Sequence, residues 1–160
     1  MPLASKPDPD LEPAEARRLC RQRAMDLLAR REHSRLELER KLLDRGFEVA
    51  LLAHTLDRLA AEGLLEESRF VASFIHARAR KGHGPARIRG ELAQRGIDDA
   101  QARAGLAAAD CDWQALCAEA RIKRFGAAPP EDFKARARQA KFLQYRGFDA
   151  DQVRAVLDAE

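Results

Sequence analysis

The chain is poor in the residue types that would announce a chemistry. It has three cysteines, one tryptophan and one tyrosine in 160 residues. Cys20, Cys111 and Cys117 are odd in number and none falls in a CxxC or other zinc-like spacing, so they read as reduced, small apolar residues. No apolar run approaches the roughly 20 residues that a membrane span needs. The start lacks the basic-then-apolar pattern of a secretory signal, and a cytoplasmic protein is expected. There is no GxxxxGK[ST] phosphate loop, no GxGxxG after a strand, no HExxH and no GxSxG. His33, His54, His76 and His83 are scattered, so no metal cluster is expected. The carboxylate pairs Glu66-Glu67 and Asp98-Asp99 fall at helix starts, where capping accounts for them. Nothing here makes an enzyme, and no cofactor is expected.

Strands are missing too. No stretch alternates with period two over β-branched residues. What is present is helical spacing almost everywhere from Ala14 onward: Leu52, Leu56 and Leu59; Phe70, Val71, Phe74 and Ile75; Trp113, Leu116, Cys117 and Ala120. The preceding "MPLASKPDPDLEP" holds four of the seven prolines and little apolar surface, and reads as a disordered tail, residues 1–13.

One phrase occurs three times: "LLDRGFE", "LAQRGID" and "LQYRGFD". Its glycines are Gly46, Gly96 and Gly147. Leu42, Leu92 and Leu143 lie four before them, Phe47, Ile97 and Phe148 follow them, and Leu56, Leu106 and Leu157 lie ten after. Agreement at four positions across separate segments marks an internal repeat. Glycine can take the left-handed conformation that ends a helix, and the apolar residue after it folds back on the leucine of the last turn. An arginine before the glycine suits the negative helix end, and Glu48, Asp98 and Asp149 stand where the next helix begins. Phe47 and Phe148 therefore belong to the core rather than to a stacking surface. Gly46, Gly96 and Gly147 are read as structural corners.

A further helix precedes each such pair, with breaks at "KGHGP" and "GAAPP". The expected helices are about 14–31, 34–45 and 48–62; 67–81, 85–95 and 98–109; and 112–125, 131–146 and 149–159. The fold class is all-α, an elongated, curved tandem array of three three-helix repeats over 14–65, 66–110 and 111–160.

Net charge is only +3, but its sign is segregated. Residues 17–31 carry six arginines against Asp26; residues 76–95 and 121–146 are also strongly basic; 47–67, 96–112 and 147–160 are acidic with one arginine each. Stacked, this predicts a basic stripe and an acidic flank. The candidate surface is Arg31, Arg35, Arg80, Lys81, His83, Arg87, Arg89, Arg121, Lys123, Arg124, Arg136 and Arg138. Tyr145, close to Lys141 and Arg146, is a candidate for base stacking. A helix-turn-helix reading fails, because the helix after each corner is apolar or acidic and phosphate would repel it. Any DNA contact should go through phosphates, with strong salt dependence and little sequence preference.

Three segments together, "LLARREHSRLELERKLLDRGF", "GLLEESRFVASFIHARARKGHGPARIRGELAQRGI" and "KFLQYRGF", resemble the bacterial RecX family of RecA regulators, from about residue 15 to the C-terminus. The resemblance implies a non-enzymatic protein of DNA repair and the SOS response. It implies binding to RecA and to the RecA–DNA filament, with inhibition of ATP hydrolysis, strand exchange and coprotease activity. The residue-level reading also fits an alternative, an autonomous, sequence-nonspecific binder of single- and double-stranded DNA. A third possibility is a helical adaptor for an unrelated protein. A monomer without membrane contact is expected in each case.

Overall fold

A computed structural model describes residues 6–159. Residues 1–5 of the expected tail, and Glu160, lie outside the described residues. Among the described residues there are nine α-helices: α1 (Pro13–Arg30), α2 (Arg35–Asp44), α3 (Val49–Ala61), α4 (Glu67–Arg80), α5 (Pro85–Gln94), α6 (Asp99–Ala108), α7 (Trp113–Phe125), α8 (Phe133–Tyr145) and α9 (Ala150–Asp158). All nine expected helices are present, with ends shifted by two residues at most. None is long and apolar enough to cross a membrane.

The starts are set by side-chain caps. Ser34 and Glu37 form a reciprocal capping box at α2, and Asp149 and Gln152 do the same at α9. Asp98, Asp112 and Asp132 each accept the amide of the third helical residue of α6, α7 and α8. Each such cap is worth about 1 kcal/mol. One capping expectation needs correction: Glu48 stands at the N-cap of α3 as expected but makes no capping hydrogen bond. Its extra methylene makes glutamate a poorer cap than aspartate. Glu66, before α4, accepts from the Ser68 hydroxyl at 2.7 Å and pairs with Arg69 at 2.5 Å.

The corners close as the repeated phrase predicts. Gly46, Gly96 and Gly147 have φ of 91°, 80° and 101°. At the first, the Phe47 amide donates to the Leu42 carbonyl at 3.3 Å and the Gly46 amide to Leu43 at 2.9 Å. Phe148 and Gly147 repeat this toward Leu143 and Gln144. The pattern satisfies carbonyls that a helix end otherwise leaves open. Leu42, Leu92 and Leu143 are fully buried, and Phe47, Ile97 and Phe148 are nearly so.

The chain divides into two compact units. The first takes in the described residues up to Phe70 together with Arg95–Ile97. Its core joins Cys20, Ala24 and Leu27 of α1, Leu38 and Leu42 of α2, and Leu52, Leu56 and Leu59 of α3. Phe47 and Leu65 close it. The second unit is Val71–Gln94 with Asp98 onward. There Cys117 of α7, Leu143 of α8 and Val153, Val156 and Leu157 of α9 pack around Phe148. Burial raises the thiol pKa of Cys20, and raises that of Cys117 to about 11, where Asp149 adds to the effect. Both thiols stay protonated and inert at neutral pH.

Within this second unit the "KGHGP" segment is more than a break. Gly82 ends α4, with the Gly82 amide on Ala79 and the His83 amide on Arg78. Gly84 then lies against the third corner. Its amide donates to the Arg146 carbonyl at 2.7 Å, and the Ala86 amide donates to Gly147 at 3.0 Å.

Candidate functional site

The candidate cations fall into two groups by what each already holds. In the first unit, Arg31 forks onto Glu37 at 2.7 and 3.3 Å, and Arg35 pairs with Asp57 at 2.6 Å. In the second, Arg87 reaches Glu91 at 3.4 Å, and Arg89 reaches Asp99 at 3.2 Å. Arg136 pairs with Asp158 and donates to the Leu157 carbonyl. A guanidinium already matched to a carboxylate has less uncompensated charge to offer a new anion.

Arg121 is a correction. It was placed on the binding surface, yet it is only 9% exposed. Its guanidinium donates to the Ala127 and Ala128 carbonyls and to Gln139 Oε1, at 3.2–3.3 Å. Arg121 lies four residues after Cys117, on the buried face of α7, and there it ties down the "GAAPP" turn. Its charge suggested solvent, but its helical register decided the matter.

Arg80, Lys81, Lys123 and Arg124 are exposed, and none of them is ion-paired among the described residues. These four line one cleft of about 640 Å³ in the second unit, a volume typical of a ligand site. The C-terminal end of α4 supplies Arg80 and Lys81; α7 supplies Lys123 and Arg124. Arg146 joins them from the third corner and donates to the Lys81 carbonyl at 3.5 Å. The floor is apolar, made by Ala79, Leu116, Ala120, Ile122 and Phe142. Glu119 is the only carboxylate in the lining. Arg138 is exposed and without an ion pair among the described residues, but lies outside this lining.

Phe142 is occupied on several sides. Arg146 stands 5.1 Å and Arg124 5.9 Å from its ring centroid, and Phe125 meets it edge-on at 5.3 Å. These contacts hold two of the rim cations in place. Tyr145 behaves differently: it is 75% exposed, with Arg87 5.6 Å from its ring centre.

His83 is half-buried, and its Nδ1 is buried without a hydrogen-bond partner among the described residues. Desolvation lowers its pKa first, and Arg87, Arg146 and Arg78 lower it further. It is therefore neutral at pH 7, and its ring adds no charge to the site. His33 is also held neutral by burial. Its Nδ1 lies 3.0 Å from the Arg31 carbonyl and its Nε2 2.9 Å from Lys41 Nζ. Since an ammonium only donates, Nε2 accepts and Nδ1 carries the proton.

Among the described residues no three His, Cys, Asp or Glu gather to hold a metal ion. The arrangement offers unspent positive charge above an apolar floor, which is the chemistry of binding. Sequence reasoning found four of the rim cations but not the floor. A signal existed: Ile122 in "RIKR" stands off the apolar stripe of α7, between two basic residues, and is 47% exposed.

Comparison with known proteins matches the three segments separately. The descriptions of the first, second and third three-helix domains of RecX fit residues 20–59, 67–106 and 110–157. The regulatory protein RecX of Pseudomonas entomophila is 48% identical over 137 residues, and that of Pseudomonas savastanoi pv. phaseolicola 50% identical. Each alignment covers 86% of this chain and 88% of the relative. The crystal structure of RecX from Lactobacillus salivarius has a TM-score of 0.73 at 19% identity, over 91% of this chain and 98% of that one. A second RecX crystal structure has a TM-score of 0.74 at 18% identity, over 91% of this chain and 73% of that one. At such identities these two speak for the fold. With the repeated corner, the three matched domains and relatives near half identity over most of their length, the chain belongs to the RecX family.

Proposed function

We propose that this protein is a non-enzymatic regulator of homologous recombination. It binds RecA and RecA–DNA filaments and inhibits RecA's ATP hydrolysis, strand exchange and coprotease activity, acting as a cytoplasmic monomer. Family membership supports the regulatory role. The observation that carries the binding role is the gathering of Arg80, Lys81, Lys123 and Arg124, all exposed and without ion pairs, around one cleft. Cations that are not neutralised within the fold are available to a polyanionic assembly.

A second reading, an autonomous DNA binder, draws on Tyr145. Its exposed ring beside Arg87 is a suitable face for a base. The two readings differ in stoichiometry and salt response. The test is titration of the purified protein into RecA's DNA-dependent ATPase, with bare-DNA binding measured in parallel. A regulator inhibits well below the RecA concentration and at salt that abolishes its own DNA binding. Inhibition that appears only when the strand is coated, and that disappears with DNA binding as salt rises, supports the second reading and overturns the first.

A further inference from the structure

We infer that the cleft between the end of α4 and α7 seats an acidic segment of the partner protein through one aliphatic side chain, and is not a seat for nucleotides. This rests on the RecA-regulating role proposed above and names the chemistry of the contact. Two observations favour peptide over nucleic acid, and a third sets the charge of its flanks.

The first is the floor. Ala79, Leu116, Ala120 and Ile122 are aliphatic, and the lining contains no Ser, Thr, Asn or Gln. A base resting on this floor would meet only aliphatic carbon beneath its ring, with no polar floor group to read its edges. A leucine, isoleucine or methionine side chain has no polar edge, and gains from burial on the same floor. The second is aromatic access. The one aromatic ring of the lining, Phe142, is already contacted by Arg124, Arg146 and Phe125. A base stacking on this ring would compete with those contacts. The exposed Tyr145 is not part of this lining. The third is charge. Five cations rim the apolar floor against the single carboxylate of Glu119, which calls for aspartate and glutamate flanking the anchoring side chain. Ile122, half exposed on the floor, is the contact an aliphatic anchor would cover.

The test places a photoreactive group on the floor. Ile122 is replaced by p-benzoylphenylalanine, the protein is bound to RecA filaments on single-stranded DNA, and the irradiated adduct is mapped by mass spectrometry. The expected adduct lies on a RecA segment in which Asp and Glu outnumber Lys and Arg. An adduct on DNA, on a basic segment or on a second copy of this chain, or none at all from bound protein, overturns the inference. Ile122→Ser gives an independent readout, since position 122 faces solvent and circular dichroism can confirm the fold. It should raise the concentration needed for half-inhibition of the ATPase by about five- to tenfold, as expected for losing an aliphatic contact. Binding to a bare oligothymidylate should change less than about twofold. Equal losses in both assays, or none in the first, overturn the inference and leave the regulatory role standing. Absence of ATPase inhibition by the unsubstituted protein instead removes the regulatory role itself.

Discussion

Gly84→Ala and Gly90→Ala change the same residue type on or beside the same helix and should have opposite signs. A Cβ on Gly84 would fall 2.3 Å from the Gly147 carbonyl carbon and 2.4 Å from the Phe148 amide nitrogen. These are backbone atoms of a closed corner, so no rotamer change relieves the clash. The start of α5 must then move away from the third corner. Overpacking of this kind costs about 1–3 kcal/mol. The Gly84–Arg146 and Ala86–Gly147 hydrogen bonds lengthen or break, at about 0.5–1.5 kcal/mol each. The expected loss is about 2–6 kcal/mol, or about 4–24 °C in Tm for a chain of this size. Gly90 lies in the exposed interior of α5, and a Cβ there meets nothing within 4 Å. Alanine should add about 0.5–1 kcal/mol through its helix propensity, raising Tm by about 1–4 °C. Thermal melts followed by far-UV circular dichroism read both. A Gly84→Ala protein as stable as the parent, or one matching Gly90→Ala, would refute the argument that backbone contact joins "KGHGP" to the third corner.

Arg121→Ala should lower the unfolding free energy through its three lost hydrogen bonds, by about 1–3 kcal/mol, with inhibition of RecA per folded molecule unchanged. Loss of inhibition without loss of stability would return this residue to the binding surface. Reversing Arg80 and Lys81 together to Glu should weaken ATPase inhibition at least about tenfold, while Asp151→Lys, exposed on α9, should change it less than about twofold. Equal effects would defeat the assignment of the cleft. Stability should also fall as pH drops. His33 and His83 have folded pKa values below their ordinary 6.5, so the unfolded chain binds more protons there. Their contribution is fully present above 6.5 and declines below it as the unfolded histidines charge. Urea titrations from pH 8 to 5 test this; a flat profile would contradict neutral histidines in the folded state.

The helices and their corners were legible because the signals are local. A leucine, an arginine, a glycine and an apolar residue in fixed order specify a stop, and an acidic residue two after the glycine marks a start. The basic cleft was only half legible. The basic character of α4 and α7 can be read from the chain, but ion pairing depends on contacts between helices. Arg35 meets Asp57 across 22 positions and Arg78 meets Glu91 across 13, and no local rule gives either pair. Arg121 shows the reverse failure. Counting it with the other basic residues of its segment hid its register with Cys117, which alone would have placed it inside.

The spacing of the repeated phrase also has a physical reason that capping alone does not supply. Each corner glycine ends its helix and lies close to an earlier segment of chain. Beside Gly46 are Lys6 and Pro7, 3.4–3.6 Å from where a Cβ would stand. Beside Gly96 is Leu36, at the start of α2, with its Cβ at 2.9 Å. Beside Gly147 is Arg87, in the first turn of α5, with its Cβ at 2.4 Å. A helix end needs glycine for its positive φ, but asparagine is a known substitute there. Contact at these distances removes the substitute at Gly96 and Gly147, because any side chain would meet the neighbouring helix. The second and third corners thus carry two constraints on one residue: a left-handed turn and a seat for the second helix of the repeat before. At the first corner the proline-rich lead-in takes that place at a looser distance. Copying a three-helix unit therefore required copying the glycine with it, which explains why the phrase recurs near fifty-residue intervals while the helices between have diverged.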